Sequence, residues 1–461
     1  MAAFITLLFT LPLIAQDGLS EAEMESATNS YHLSISEAFD GSLVDLPYHT
    51  LQKASIRLFG LTPYSIKLPS IIIGLILGVL LILLLNRWFK NNVSLLASSL
   101  VVLSTPFLFL AGSGTPLIML VFWPTLLLWL GSKIQGEKRP KPMYSFLFAI
   151  VMVMALFTPY MVYFAAFCII FVILQPHLRF VVRSLPELPL ILTGIIILLG
   201  VVAIVLNFIN QPSVVMEIFA YKDYSINNFI PNIVAGFTPV FQWFGESNTI
   251  FLAPLIGLPI LALALTGLFS TTKGFFASRN SIASLLIVFG IIITGLNPNA
   301  VIFLILPLSI LVAHGLKYLL EKWYGLFPEN PYARISALFP LVILFGIIII
   351  PGLLQYIYGY HYNSNVASKF DYSLDIIRNH LTEETLVAGE NYDFYKILED
   401  TGGVKVAKDL KEVSTDKIAI LKAQANNEKY ILSQIITSPM KENSDIIYLY
   451  TVKENTNGTN I

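Results

Sequence analysis

The sequence has little charge and almost no cysteine. Charged side chains make up 12% of its 461 residues, against about a quarter in an ordinary soluble domain, which excludes a water-solvated globule of this size. The 28 Lys and Arg are balanced by 29 Asp and Glu, a formal charge of −1, and no basic excess is left for nucleic acid. A single cysteine, Cys168, excludes an internal disulfide, and its apolar neighbourhood reads as a small buried hydrophobe. The six histidines show no metal-ligand spacing, so no metal or other cofactor site is read. Internal repeats and low-complexity segments are absent too. What fills the chain is hydrocarbon: 56% of residues are hydrophobic and the mean hydropathy is +0.73. That composition predicts an α-helical polytopic membrane protein.

A span takes about 20 apolar residues, or roughly 17 to 25 with tilt. Eleven windows qualify: 2–15, 68–85, 93–111, 116–131, 143–157, 159–175, 188–208, 250–270, 281–296, 300–316 and 338–357. The first is short, with no Lys or Arg ahead of it and no A-x-A site behind, and reads as an uncleaved anchor. Thr158-Pro159 alone parts the fifth from the sixth.

Short loops rich in Lys and Arg stay on the cytoplasmic side. One alternate set of loops holds thirteen of these residues, from Arg87 to Arg334; the other, before residue 358, holds only Lys53, Arg57, Lys67 and Lys222. This predicts a cell-membrane protein with a cytoplasmic N-terminus, a transmembrane domain over 1–357 with outer loops at 16–67 and 209–249, and an extracytoplasmic domain over 358–461. In the tail, the β-type runs LVAG, KIAIL and IIYLYTV alternate with the helix-like SLDIIRNHL and DFYKILED, which predicts a small α/β domain.

The first outer loop is acidic where the rest of the chain is apolar. Ser20 and Glu23 form a capping-box pair, and Met24, Ala27, Tyr31 and Ile35 follow at helical spacing, predicting an amphipathic surface helix. Glu21, Glu25, Thr28 and His32 make a separate polar stripe on it. A second helix is signalled by Asp45 as N-cap and Pro47 near its first position, with Tyr48, Leu51, Ser55, Leu58 and Phe59 expected inward.

The order of parts resembles the GT-C superfamily of integral membrane glycosyltransferases, the group that includes protein O-mannosyltransferases and the lipid A aminoarabinose transferase. AEMESATNSYHL is similar to that group's outer-loop acidic motif, DLPYHTLQKASIRLFGLTPYSIKLPS to its proline-containing helix, and FTPVFQWFGESNTIFLAPLIGLPILALALTGLFS and ILPLSILVAHGLKYLL to later passages. The resemblance implies a GT-C-like membrane domain and transfer of a sugar, with inversion, from a polyprenyl-phosphate-linked donor to an extracytoplasmic acceptor. Membrane lipid, the donor and the acceptor are then the partners. In three places the sequence departs from the group. Ala22 stands where the resemblance puts the aspartate base, and Ser113-Gly114 and Val301 stand near places where it puts arginines.

Such a transfer needs a carboxylate to take the acceptor's proton and a cation to steady the departing phosphate, both at the outer membrane surface. Glu23 and Glu21 are the candidate bases. Asp17, Asp45 and His49 are candidate positioning groups, Lys53, Arg57, Lys67 and Lys222 the candidate phosphate cations, and Tyr221 and Trp243 candidates to shape a sugar or acceptor site. Each has a plainer alternative: a helix cap for Glu23, a solvated first turn for Glu21 and Glu25, snorkelling cations, an aromatic belt. Two other functions stay open: a non-enzymatic lipid- or glycan-binding scaffold, and a transporter or flippase, against which the scarcity of ionisable residues within the spans argues.

Overall fold

The computed structural model describes residues 2–15, 18–33, 43–136, 142–219, 226–242, 251–252, 254–272, 278–326, 332, 336, 338–381, 384–402, 404–410, 413, 417–421, 429–437 and 446–452. Every apolar window contains a helix. They are α1 (Ala2–Ala15), α4 (Pro63–Trp88), α5 (Asn91–Val102) with α6 (Thr105–Gly112), α7 (Met119–Gly136), α8 (Pro142–Leu156), α9 (Met161–Leu174), α11 (Glu187–Asn210), α14 (Leu258–Thr272), α15 (Ser278–Leu296), α16 (Ile305–Leu326) and a last long helix, Leu338–Tyr362. Six helices among the described residues are long and apolar enough to cross a membrane. Two further stretches are bent: α5 meets α6 at 65°, and α9 meets α10 (Pro176–Arg183) at 96°. Pro106 and Pro176 each lack the N–H that would continue the helix.

Two helices were not foreseen in the loop 209–249: α12 (Pro212–Ile218) and α13 (Phe229–Phe241). Phe229 packs on Gly295 of α15. A 13-residue apolar run is too short to span, which is why composition alone assigned it to a loop.

The outer loop folds into α2 (Glu21–His32) and α3 (Leu46–Phe59). Ser20 caps α2 through the expected capping box. The second helix departs from expectation on two points. Asp45 occupies the N-cap position of α3 but makes no side-chain cap bond. The inward face is Tyr48, His49, Gln52, Ser55 and Ile56, whereas Leu51, Leu58 and Phe59 are 50%, 76% and 56% exposed. Beside a membrane the apolar phase is outside the protein, so the greasy side chains turn out and the polar ones pair within.

The tail carries a five-stranded sheet in the order β4-β3-β5-β7-β6. Its strands are β3 (Thr385–Val387), β4 (Val406–Ala407), β5 (Lys417–Leu421), β6 (Tyr430–Thr437) and β7 (Ile446–Val452). The first three are mutually parallel, β7 runs antiparallel to β5, and β6 runs antiparallel to β7. Helices Ser373–His380 and Tyr392–Gly402 complete the predicted α/β domain. The preceding helix runs to Tyr362, past the boundary placed at 357/358.

Where the tail sits decides how the site is built. A two-residue strand, β1 (Leu19–Ser20), pairs antiparallel with β2 (Phe370–Asp371), joining the tail to the residues just ahead of α2. Met24 and Ala27 then bury against Leu374, Ile377, Phe394 and Leu398 together with Ile56 and Ile66. Tyr31 closes the contact by donating from its hydroxyl to Asp400 Oδ2 at 2.6 Å. The apolar face of α2 is thus taken by the tail rather than by lipid.

Candidate functional site

A cavity of about 780 Å³ lies between α2, the start of α3, the loop after α6, the break after α8, the end of α12 and the Asn297–Asn299 turn. Ala22, Glu25, Asn29 and His32 recur at i, i+3, i+7 and i+10 and give α2 one face on it. Asp45 and His49 come from α3, Ser113 and Thr115 from the loop, Thr158 and Tyr160 from the break, and Glu217 from α12.

Glu23 points the other way, into the protein. Its Oε2 accepts from the Ser20 backbone N–H at 2.8 Å and the Ser20 hydroxyl at 3.1 Å, and its Oε1 accepts from the Gly114 N–H at 2.6 Å. Lys67 Nζ lies 3.8 Å from Oε1, with both side chains 1% exposed, and donates to the Gly18 carbonyl at 2.7 Å. Three of the carboxylate's roughly four acceptor positions are filled, and the side chain faces Lys67 in the protein interior rather than the cavity. Gly114, standing near one of the missing arginines, is required by space: a Cβ there would lie 2.7 Å from Ile66 Cγ2 and 3.0 Å from its carbonyl oxygen.

Beside this pair, proton bookkeeping fixes the state of His49. Gln52, fully buried, donates through Nε2 to the carbonyls of Ile66 at 3.0 Å and Gly114 at 2.8 Å. Its Oε1 accepts from the hydroxyls of Ser26 at 2.9 Å and Ser30 at 2.6 Å. Ser30 has spent its one hydrogen, so its 2.7 Å contact with His49 Nδ1 is a bond donated by the ring. Burial holds the imidazole neutral, lowering its pKa to about 4. With the hydrogen on Nδ1, Nε2 on the far side of the ring is left as an acceptor.

Asp45 is the unusual residue. It adopts the left-handed conformation at φ 50°, and Tyr160 across the cavity does so at φ 67°. Among the described residues these are the two non-glycine cases. Such a backbone costs of order 1–3 kcal/mol and persists only where its surroundings impose it. The Asp45 N–H donates to the Phe157 carbonyl at 2.8 Å and the Tyr160 N–H to Ile218 at 3.3 Å, tying α3, the break and α12 together. The indole N–H of Trp123 donates to Thr158 Oγ1 at 3.1 Å, and the Thr158 hydroxyl bonds the Asp45 carboxylate. The other carboxylate oxygen, Oδ1, is buried with no partner among the described residues. Desolvation lifts this carboxyl to a pKa of about 7, against the opposing pull of the Thr158 bond.

The remaining sequence candidates fall as follows. Glu21 is exposed and lies off the cavity. Lys53 donates to the carbonyls of Tyr31 and Leu33, closing the end of α2, and its pKa is lowered by burial and by Arg57. Arg57 is exposed outside the cavity. Lys67 is held by Glu23, so none of these three cations lines the cavity. Asp17, Tyr221, Lys222 and Trp243 lie outside the described residues. Among the described residues no group of three or more His, Cys, Asp or Glu is placed to hold a metal ion. Sequence reading missed Thr158, Tyr160, Glu217, Asn297 and Asn299. The signals were present in Thr158-Pro159 and Asn297-Pro298-Asn299, polar breaks between apolar helices, and in Glu217, one of three acids in the outer loop 209–249.

Residues 48–204 match the family model of dolichyl-phosphate-mannose-protein mannosyltransferases. A search of curated protein sequences gives no match. Solved structures are more informative. ArnT from Cupriavidus metallidurans, crystallised with undecaprenyl phosphate, superposes with a TM-score of 0.56 at 12% identity, covering 98% of each chain. The fold is that of the GT-C glycosyltransferases. The archaeal oligosaccharyltransferase AglB from Archaeoglobus fulgidus, in complex with an inhibitory peptide and a dolichol-phosphate, gives 0.52 at 11% identity, over 88% of this chain and 64% of that one. The chain is a multi-pass membrane protein of GT-C architecture with a small C-terminal sheet domain. Within that GT-C frame, Ala22, standing where the resemblance puts an aspartate, does line the cavity, and Val301 is buried in the core of the bundle.

Proposed function

We propose that the chain moves a sugar, with inversion, from a polyprenyl-phosphate carrier to an extracytoplasmic hydroxyl acceptor inside this cavity, with Asp45 as the base. The observation that carries this reading is Asp45 on the cavity wall, with a buried Oδ1 that has no partner among the described residues and a strained backbone. A base with a pKa near the working pH combines the ionised form with enough proton affinity to act. Asp45 takes the acceptor's proton as the acceptor oxygen bonds to the anomeric carbon. The bond from that carbon to the phosphate oxygen breaks on the opposite face, and polyprenyl phosphate leaves. In place of a cation, which the cavity lining does not include among the described residues, Ser113, Thr115, Asn29, Asn297 and Asn299 supply hydroxyl and amide donors to the departing phosphate and the sugar, and His49 Nε2 receives a substrate hydroxyl. In ArnT and AglB the bound lipids are undecaprenyl phosphate and dolichol-phosphate, carriers of the class proposed here.

The test is transfer itself. Purified protein incubated with a panel of radiolabelled polyprenyl-phosphate sugars and membrane-derived acceptors should release label from the lipid fraction. No release from any donor would return the chain to the scaffold reading, which Ala22 on the cavity wall favours.

The charge asymmetry of thirteen to four supports placing this cavity and the tail outside the cell, since the tail is joined to α2 through β1 and β2. A cysteine introduced at Ser364 should react with a membrane-impermeant thiol reagent in intact cells. Labelling only after lysis would reverse the orientation.

A further inference from the structure

A second pocket, of about 300 Å³, lies at the other end of the bundle. Lys67 of α4 stands beside the first cavity's wall and Arg87 twenty residues along the same helix, about 30 Å away at 1.5 Å per residue. The new pocket opens between α7, α8, α9, α10, α11 and α15, and its body is apolar, with Leu127, Phe148, Phe167, Phe171 and Ile282 on the walls.

Its rim is basic. Arg279 lines it and donates to the carbonyl of Trp88 at 3.0 Å, and Arg87 donates to the carbonyl of Ser132, another lining residue, at 3.0 Å. Each bond uses one of five guanidinium N–H groups and anchors the head without exhausting it. Helix α10 turns 96° from α9 and closes over the pocket with Leu178, Val181 and Val182, while Arg179 and Arg183 on the same helix are exposed. Gln175 Nε2, at the bend, donates to Ser281 Oγ at 2.6 Å, fixing α10 to the helix that carries Arg279. The hydroxyl of Thr193, on the wall, is buried with no partner among the described residues. Against four arginines, Glu187 is the one acidic residue among the described residues of the lining helices and α4.

We infer that this pocket binds an anionic diacyl phospholipid, one acyl chain between the aromatic walls and the phosphate on Arg279 and Arg87. The occupant follows from charge and shape. A slot lined by hydrocarbon and opening among membrane helices takes an alkyl chain, and the two arginines anchored to its wall, Arg279 and Arg87, select a phosphate that carries net negative charge over a zwitterionic one. The polyprenyl carrier is a poorer fit, because its phosphate has to reach the first cavity at the opposite end. Bound there, the phospholipid joins α10 to α4 and α15, and the inference is independent of the activity proposed for the first cavity.

Native mass spectrometry of the delipidated full chain tests this, titrating with phosphatidylglycerol, phosphatidylcholine or polyprenyl phosphate of matched concentration. Phosphatidylglycerol should bind at least tenfold more tightly than phosphatidylcholine. Arg279→Gln should remove about tenfold of that preference, the effect of one charge-assisted contact. Gly131→Phe should empty the site of lipid altogether: Gly131 lines the pocket, a Cβ there meets nothing within 4 Å, and the bond from Arg279 to Trp88 stays intact. Equal affinity for the two phospholipids, unchanged phosphatidylglycerol binding in Gly131→Phe, or displacement of phosphatidylglycerol by equimolar polyprenyl phosphate would each overturn the inference.

Discussion

Asp45→Asn is expected to lower kcat/KM for sugar transfer by about 10²- to 10⁴-fold, the usual cost of removing a general base, while making the protein harder to unfold at neutral pH. Both effects follow from one displaced equilibrium. Burial raises the Asp45 carboxyl from its ordinary 3.8 to about 7, so the folded state holds this proton more tightly than the unfolded chain does. The stability contributed by the protonated form is complete below about pH 4 and is lost as the pH rises to about 7. Activity runs in the opposite direction, since only the carboxylate accepts a proton, and the parent's kcat/KM should climb through an apparent pKa near 7. Asparagine keeps a partner for Thr158 but does not ionise. Its thermal midpoint should match the parent near pH 4 and exceed it at pH 8, and the rise in rate through pH 7 should vanish with the activity. A variant of full activity, or one whose stability advantage over the parent does not grow with pH, would dismiss Asp45 as the base.

The second large effect is on stability. Removing one member of a buried ion pair leaves the other without compensation, a cost of about 3–5 kcal/mol, and Glu23→Gln does this to Lys67. Glutamine completes a capping box in isolation. Here the side chain must also accept from Gly114 N–H while facing Lys67, and the amide has one oxygen where the carboxylate had two. Thermal unfolding in detergent should show the loss, and Lys67→Met should show one of similar size. The double variant should be destabilised by less than the two losses added, because the second substitution removes the charge the first left stranded. If Glu23→Gln were as stable as the parent and catalytically dead, the assignment would reverse: Glu23 would be the base, and Asp45 a strained residue without a chemical part.

How much of this was legible in the sequence depends on the range of the interactions involved. The helical membrane class, the positions of the apolar helices, the capping box at Ser20 and Glu23 and the strands β5 and β7 are set by composition and by contacts a few residues apart, which a linear pattern records. The strand β6 escaped because its Tyr430–Thr437 run lies at the edge of the sheet, largely exposed, and does not alternate strictly. On α3 Tyr48 and Ser55 face inward as expected but Leu51, Leu58 and Phe59 do not, for a different reason: the hydrophobic phase that apolar side chains seek is lipid in one protein and core in another.

The site was harder still. Residue type and spacing put Glu23 and Glu21 forward as bases, Asp45 and His49 as positioning groups and the outer cations for the phosphate. What surrounds each carboxylate belongs to tertiary structure alone, and those surroundings are what favour Asp45 in the reading proposed above. Glu23 is engaged by Gly114 and Lys67, 91 and 44 residues further along the chain. Asp45 is left hungry by a backbone bond to Phe157 and by a threonine 113 residues away. Alike in sequence, the two acids differ in the donors that folding brings to them.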